Sequence, residues 1–317
     1  MNWFTRAFAA LVAAAACSTT PGVRAFNGCG PLLCGPDCCA PHALVTGPEP
    51  AGGANANNTF CANAWNSDDS GYQCLSVGDD QQSFAAMSHW TSDPTKVKSY
   101  PHVKLGSSQL PISFQNIRNF DVKVEWGLGL SRSRTGKQSD FAVDAAGLTK
   151  TRTVANVALD IWADVDPHLA SNEEEAGIEI MVWLGVMGTV QPLGWGDGTS
   201  PWEATIGDDH FTLFQGSGPR GQNVLSWMPD TNKTFFDHDI TPLVRYLWEN
   251  KLVPRDAHVG TVALGMESFF STDPITFSAH NLSLVINSGA FSWKAQPGWS
   301  GSLLASVVVG LAVHLLL

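Results

Sequence analysis

Between residues 59 and 287 the chain is a series of short segments in which apolar and polar residues alternate, or in which β-branched and aromatic residues dominate. Clusters of Gly, Pro, Asp and Asn separate these segments, as turns separate strands. Residues 239–253 differ, because Leu243 and Leu247 recur at helical spacing after Pro242, which is a helix start signal. Many strands and one helix predict an all-β fold, an antiparallel sandwich or jelly roll with one α-helix. The main predicted strands are residues 114–130, 153–165, 177–188, 210–217, 224–228, 258–270 and 275–287.

The strand GIEIMVWLG, residues 177–185, places an ionisable carboxylate inside an apolar run. Successive side chains of a strand point to opposite faces. The β-branched residues and Leu184 therefore form one apolar face, whereas Glu179, Met181 and Trp183 form the other. The first face suits a core, and the second indicates the floor of a cleft.

Two further strands place an acid on the face opposite the core. The acid is Asp160 in residues 157–165 and Glu267 in residues 261–270. An unpaired carboxylate in apolar surroundings is unfavourable unless it is hydrogen-bonded or protonated, and carboxylates that share a site raise one another's pKa. Two facing carboxylates in a sugar-sized groove can hydrolyse a glycosidic bond, and a third can hold a proton. The alternative is an open sheet face that is wetted by solvent and has no chemistry.

Composition narrows the class of partner. The chain has 18 Lys and Arg against 29 Asp and Glu, for a formal net charge of −11. We expect no nucleic-acid partner, because phosphate neutralisation needs clustered basic residues. Twelve Trp against three Tyr provide flat faces on which sugar rings can stack, although core packing accounts for most of them. No GxxxxGK[ST] phosphate loop is present, and we expect no cofactor and no metal.

Both ends of the chain resemble processing signals. Residues 1–25 combine Arg6, a short apolar run and a small-residue cleavage site, which predicts a secretory signal peptide. Residues 288–317 follow the small residues at Asn287 with a spacer and the apolar tail 302–317, which is the pattern of a GPI-attachment signal. A tail-anchor helix and a core helix are the alternatives. We expect a secreted monomer that meets the membrane only through a lipid anchor.

Six cysteines follow the signal peptide, and an oxidising compartment favours disulfides. Four lie in a lead and linker of residues 26–56, where disulfides are expected rather than zinc because the spacing is not C-x2-C. The other two, Cys61 and Cys74, flank a predicted strand–turn–strand at the start of the main domain, residues 57–287, and a bridge between them is expected. The cysteines of the lead are Cys29, Cys34, Cys38 and Cys39, and N-glycosylation triplets begin at Asn57, Asn232 and Asn281.

Six segments, in order along the main domain, resemble glycoside hydrolase family 12, the small secreted endo-β-1,4-glucanases and xyloglucanases of fungi, oomycetes and bacteria. The segments are CANAWNSDDSGYQC (61–74), HWTSDPTKVKSYPHV (89–103), VALDIWAD (157–164), GIEIMVWLG (177–185), QPLG (191–194) and ALGMESFFS (263–271). The resemblance implies a jelly roll of two curved antiparallel sheets, one of them concave, with a single helix. It also implies a disulfide in the first segment.

The resemblance implies roles for the three acids. Glu179 would be the nucleophile, Glu267 the acid/base, and Asp160 the group that hydrogen-bonds Glu179. The implied reaction is hydrolysis of internal β-1,4-glucosidic bonds with retention of configuration, on β-glucan or, alternatively, on xyloglucan. An alternative of another class is a carbohydrate-binding surface protein without turnover.

The resemblance also implies the residues that hold substrate. Asn63 and Trp65 would bind glucosyl units on the non-reducing side, Met181 and Trp183 would shape the floor, and Pro192 would contribute through its loop. The sequence departs from the family pattern at three positions, which bear on substrate preference. The three departures are His102 and Asn66, where Asn and Gly are usual, and Met266, where Thr is common.

A run of three acids, Glu173–Glu175, precedes the strand that carries Glu179. This run is expected to be a solvated loop.

Overall fold

The structure is a computed structural model that describes residues 58–77, 82–131, 142–197 and 202–289. The predicted signal peptide, the Cys-rich lead, and the spacer and apolar tail of the predicted GPI signal lie outside the described residues. Within the described part, no helix is both long enough and apolar enough to span a membrane.

Strands dominate the described residues. Helices are α1 (Ala145–Lys150), α2 (Pro167–Ala170) and α3 (Thr241–Glu249), and a short 3₁₀ segment spans Phe114–Asn116. The strands are β1 (Thr59–Cys61), β2 (Gly71–Val77), β3 (Phe84–Trp90), β4 (His102–Lys104), β5 (Ile112–Ser113), β6 (Ile117–Leu130), β7 (Val154–Asp164), β8 (Ile178–Met187), β9 (Trp202–Ile206), β10 (Asp209–Ser217), β11 (Asn223–Pro229), β12 (Phe235–Asp239), β13 (His258–Phe270) and β14 (Ile275–Ser288).

The strands form two sheets, which confirms the predicted jelly-roll sandwich. The nine-stranded sheet has the order β1-β4-β13-β7-β8-β11-β10-β9, and β5 also pairs with β13. The five-stranded sheet has the order β12-β6-β14-β3-β2. One pair departs from the predicted antiparallel arrangement, because β8 and β11 run parallel. After β8 the chain reaches the edge of the sheet and builds β9, β10 and β11 inward, so β11 meets β8 in the same direction.

The core lies between the two sheets and follows the predicted alternation. Leu159, Ile180 and Leu264, on three adjacent strands, are fully buried there, together with Trp126 of the five-stranded sheet and Trp227 of the nine-stranded one. The opposite face of the nine-stranded sheet, here called the groove face, carries the predicted acids. The alternation of side chains between the two faces of each strand therefore determines which of them face the groove.

The predicted helix is confirmed as α3, whose buried side includes Leu243 and Leu247. Two shorter helices, α1 and α2, were not predicted. The predicted strand–turn–strand around Cys61 and Cys74 is wrong, because β1 pairs with β4 in one sheet whereas β2 pairs with β3 in the other. Cys74 is a buried disulfide cysteine, and its pairing with Cys61 stays a prediction.

Candidate active site

The three predicted acids share the groove face on three adjacent strands. Strand β7 lies between β13 and β8, and Asp160 stands opposite Ala263 of β13 and Met181 of β8. Glu267 and Glu179 lie on either side of this row, one toward the start of β7 and the other toward its end. The two glutamates therefore stand on opposite banks of a groove that crosses the strands, with Asp160 in its floor.

Glu267 occupies a desolvated position beside an amide. Burial, together with a smaller effect of the charge of Glu179, raises the pKa of Glu267 to about 7, although a hydrogen bond from Asn156 opposes the shift. Asn156 is fully buried and stands directly opposite Glu267 in the β7–β13 register. A carboxyl group in this state holds its proton through the mildly acidic range.

Glu179 is partly buried and has two partners that favour its charged form. Burial raises the pKa of Glu179, whereas a hydrogen bond from Gln222 and the charge of Arg220 lower it. The Gln222 amide donates to Oε2 of Glu179 at 3.1 Å. Both partners lie just before β11, the strand parallel to β8. The parallel pair thus brings them to the nucleophile candidate.

Asp160 is the most enclosed of the three acids. Burial and the charges of Glu179, Glu267 and Glu173 raise the pKa of Asp160 well above its ordinary value, against a smaller effect of the Tyr100 hydroxyl. Its Oδ1 has no hydrogen-bond partner within the described residues. A pKa raised in this way favours the protonated carboxyl group, which can donate a hydrogen bond to a neighbouring carboxylate.

Arg220 fixes one bank of the groove. Its guanidinium donates to the backbone carbonyl of Glu174 at 2.6 Å and to that of Glu173 at 2.9 Å. It also lies 5.5 Å from the ring centre of Trp162, the residue opposite Glu179 in the register. The planar guanidinium therefore joins the loop before β8 to the strands that carry Asp160 and Glu179.

The expectation that Glu173–Glu175 forms a solvated loop is wrong for its first residue. Glu174 and Glu175 are exposed, but the Glu173 side chain is only 20% exposed and lies 3.2 Å from Nζ of Lys104. Its charge raises the pKa of both Asp160 and Glu179. The loop before β8 directs the Glu173 carboxylate toward the groove. A fourth acid therefore contributes to the negative electrostatic potential at Asp160 and Glu179.

His102 lies beside Glu173 and faces the groove above Gly265. Its ring stacks on that of Tyr100 at 4.8 Å, and its Nδ1 is 2.7 Å from the Tyr100 carbonyl, so Nδ1 carries the proton of that hydrogen bond. Its buried Nε2 faces Oε1 of Glu173 at 3.6 Å. A Cβ at position 265 would clash with the Pro101 carbonyl oxygen, with Cβ of His102 and with the ring of Tyr100, and Gly265 therefore makes room for this stack.

Asn63 and Trp65 lie in the loop after β1, at the β4 end of the groove. The Asn63 carbonyl accepts from the Tyr100 amide at 2.9 Å, and Asn66, the departure from the family pattern, donates from its side chain to the Val97 carbonyl at 2.6 Å. Trp65 is 58% exposed, so its indole is open to a ligand. The loop thus packs against residues 97–100, and that segment in turn bonds Ser268 of β13, the neighbour of Glu267 in the chain.

The floor and far end of the groove combine two other predictions. Met181 and Trp183 are buried in a small apolar cluster with Ala158 and Val224 on the groove face, and this cluster forms the floor of the groove. Pro192 is also buried, whereas Leu193 and Trp195 in the same loop are exposed. In the QPLG segment the surface open to a ligand is therefore provided by residues such as Leu193, and not by Pro192, the residue that was predicted to bind substrate.

Several residues of the site were not predicted. Asn156 belongs to the alternation that contains Asp160, and extending that pattern by two steps would have found it. Gln222, Arg220 and Trp195 lie in loops, where no periodicity marks the side chains that point to the groove. Within the described residues no cluster of acids, histidines and cysteines has the arrangement of a metal site.

Comparisons with known proteins agree with this geometry. The profile of Glycosyl hydrolase family 12 matches residues 57–287. A probable xyloglucan-specific endo-beta-1,4-glucanase A of Aspergillus clavatus is 28% identical over 230 residues, which cover 70% of this chain and 84% of the relative. An inactive glycoside hydrolase, XLP1, of Phytophthora nicotianae is 26% identical over 213 residues, 65% of this chain and 77% of the relative.

A solved structure shows the same fold. Endoglucanase 3 of Trichoderma harzianum, a family 12 protein, superposes with a TM-score of 0.59 at 22% identity, over 74% of this chain and 92% of the other. The family profile covers most of the chain, and its match includes all three acids of the groove. The chain therefore belongs to glycosyl hydrolase family 12.

Proposed function

We propose that the protein is a retaining endo-β-1,4-glucanase that hydrolyses internal β-1,4-glucosidic bonds of glucans by double displacement. The observation that carries this proposal is the placement of Glu179 and Glu267 on opposite banks of one groove, with Asp160 between them. Membership of family 12 supports the same reaction class.

The environments of the two glutamates support different roles. Glu267, with a pKa raised to about 7, keeps its proton at mildly acidic pH and acts as general acid. Glu179 receives a hydrogen bond from Gln222 and the field of Arg220, which favour the carboxylate that a nucleophile needs. Two carboxyl groups whose surroundings push their pKa values apart are the usual basis for assigning acid and nucleophile.

The reaction proceeds in two displacements. Glu267 donates its proton to the glycosidic oxygen while the Glu179 carboxylate attacks the anomeric carbon, the bond to the leaving sugar breaks, and a glycosyl ester forms on Glu179. Glu267, now a carboxylate, removes a proton from water, whose oxygen attacks the same carbon and releases Glu179. Two inversions give net retention, and Glu267 ends protonated as it began.

Asp160 positions the nucleophile. It stands diagonally across the β7–β8 pair from Glu179, within reach of a side-chain contact. The raised pKa of Asp160 favours its protonated form, which can donate a hydrogen bond to the Glu179 carboxylate and hold the attacking oxygen in place when substrate binds. As the ester forms, the charge on Glu179 is lost.

The test removes each glutamate in turn. Glu179→Ala and Glu267→Ala should each lose nearly all hydrolysis of β-glucan while keeping much of the affinity for cello-oligosaccharides, and the exposed Glu174→Ala serves as the control. Proton NMR of the first product should show the β-anomer. Full activity in either variant would remove its glutamate from the proposed role, and an initial α-anomer would rule out retention.

A xyloglucan-specific endo-β-1,4-glucanase is the second candidate, because several curated relatives carry that description. The same groove serves both activities, so the substrate decides. Release of reducing ends from carboxymethylcellulose, mixed-linkage β-glucan and xyloglucan separates them. The inactive relative favours a third candidate, a sugar-binding protein without turnover, which predicts binding without any product.

We also propose that the chain is secreted, held at the cell surface by a lipid near Asn287, and bridged between Cys61 and Cys74. The sequence signals at the two ends support secretion and the lipid anchor. The expected oxidising compartment supports the bridge. A GPI-cleaving phospholipase should release the protein from cells, and mass spectrometry should show that the mature chain lacks the apolar tail. Peptide mapping without reduction tests the bridge.

A further inference from the structure

A pair of aromatic side chains, of which Trp195 is exposed and Phe214 is half-buried, lies at the end of the groove opposite Trp65. Trp195, in the loop after β8, is 45% exposed, and its ring lies 4.9 Å from that of Phe214 on β10 at an angle of 34°. An exposed indole offers a large flat apolar face on which a ligand ring can stack. None of the roles described above uses this pair.

The pair stands in the row that contains Asp160. Across the sheet, Asp160 faces Met181, Met181 faces Ser226 of β11, and Ser226 faces Phe214. Three strand spacings separate Asp160 from Phe214, about 14 Å. Core residues alternate with these positions on β10 and β11, so Phe214 points to the groove face, and Trp195 covers it from that side.

The loop that carries Trp195 is seated on the sheet. Gly194 has a φ of +85°, and a Cβ there would lie 2.0 Å from the Gln215 carbonyl. A Cβ at Gly216 would in turn strike Leu193. Two glycines in contact thus allow the loop to pack directly on β10, while the Trp195 amide donates to the Pro192 carbonyl at 3.2 Å. The indole is therefore presented by a fixed backbone.

We propose that Trp195, backed by Phe214, is a binding subsite for a glucosyl residue on the leaving-group side of the cleaved bond. This proposal rests on the proposed function, because the expectation that Trp65 holds the non-reducing side leaves the leaving-group chain at the β10 end. The occupant is the same polysaccharide that lies over Asp160, since the row is continuous from the acids to Phe214. The sugar ring stacks its apolar face on the indole.

The chain offers a matched control in Trp202. Trp202 is 37% exposed on the edge strand β9, but it stands opposite Leu213, whose side chain belongs to the core. It therefore points away from the groove face. Substitution of either residue removes one exposed indole near the same sheet edge, and only Trp195 lies on the path of the substrate.

The experiment measures two substrates and one affinity. For Trp195→Ala, kcat/KM on cellohexaose should fall roughly three- to tenfold, the effect of one aromatic stack, whereas kcat/KM on an aryl β-cellobioside, whose leaving group is no sugar, should change less than twofold. Trp195→Phe should restore most of the rate, and Trp202→Ala should resemble the wild type. Calorimetry in the Glu179→Ala background should show the same fall in cellohexaose affinity.

The outcomes separate this subsite from the catalytic proposal. A wild-type protein that hydrolyses neither substrate would refute the proposed function, and the calorimetric comparison would still decide the subsite. Unchanged cellohexaose affinity in Trp195→Ala, an equal loss in Trp202→Ala, or an equal loss on the aryl cellobioside would overturn the subsite. If Trp195→Ala does not fold, the comparison of Trp195→Phe with Trp195→Leu gives the same decision.

Discussion

The side-chain amide of Asn156 on β7 donates a hydrogen bond to Oε2 of Glu267 on β13, its direct partner in the sheet register. This contact favours the charged carboxylate, whereas burial favours the neutral acid. The effect of burial is the larger one, since the pKa of Glu267 is raised to about 7. The proposed acid/base is therefore held between its two protonation states near neutral pH, which suits a group that gives and then takes a proton.

Asn156→Ala should shift the pH dependence of hydrolysis. Without the amide, the pKa of Glu267 rises, because the Asn156 hydrogen bond that favours its charged form is lost. The alkaline limb of kcat/KM, which begins near pH 7 when Glu267 loses its proton, should move upward by about one pH unit. Asn250→Ala is the control, since its side-chain amide donates to the Tyr246 carbonyl at the end of α3, away from Glu267. An unmoved limb would contradict the assignment of Glu267 as the acid.

Glu267→Gln should stabilise the folded protein at high pH. The pKa of Glu267 is raised on folding, so its contribution is favourable below its unfolded value of about 4.5 and is lost as the pH rises through about 7. Gln resembles the protonated form at every pH. The variant should therefore match the wild type below pH 4 and exceed it by roughly 3 kcal/mol above pH 8. Urea unfolding at the two pH values checks this, and a difference that does not depend on pH would exclude the linkage.

Gln222→Ala should affect the acidic limb. Gln222 donates to the Glu179 carboxylate at 3.1 Å and lowers its pKa. Its loss should raise the pKa of Glu179, so the nucleophile becomes protonated at a higher pH and the acidic limb of kcat/KM moves up. Gln215→Ala is the matched control, because that amide bonds Asn223 instead. A shift of the same size in the control would show that the effect comes from the fold of this edge rather than from Glu179.

Glu173→Gln should move the acidic limb in the opposite direction. The charge of Glu173 raises the pKa of both Asp160 and Glu179, so its removal lowers them. The variant should keep its activity to a lower pH than the wild type, whereas Glu174→Gln, a neighbour whose carboxylate is exposed, should not.

His102→Asn, which restores the residue usual in the family, tests the imidazole ring beside Glu173. It should change the pH dependence of kcat/KM only if Nε2 of His102 shares a proton with Glu173.

The alternation of side chains predicted the groove face but not everything that acts on it. Because face assignment is local, a period of two located Glu179, Asp160 and Glu267 on the same side of the sheet. The partners of Glu179 come from the segment before β11, and no local pattern indicates that β11 returns beside β8. Strand pairing of this kind is decided by long-range packing.

The orientation of Glu173 illustrates the same limit. A run of three acids is usually solvated, since each charge prefers water. Lys104 and the Arg220 contacts to the loop carbonyls turn the first acid inward, and both partners are distant in sequence. The two unpredicted short helices follow from turn chemistry, with Asp144 and Asp166 accepting hydrogen bonds at their N-termini.

The parallel pairing of β8 with β11 has a consequence for how this groove can diversify. The part of the chain from the end of β8 through β10, including the Trp195 loop and β9, is an excursion that leaves β8 at Met187, far from Glu179, and precedes Arg220 and Gln222, after which β11 starts opposite Ile178. Insertions or deletions within the excursion can reshape the region beyond β11 without altering the register of Glu179, Asp160 and Glu267. Recognition of different polysaccharide chains can thus change independently of bond cleavage.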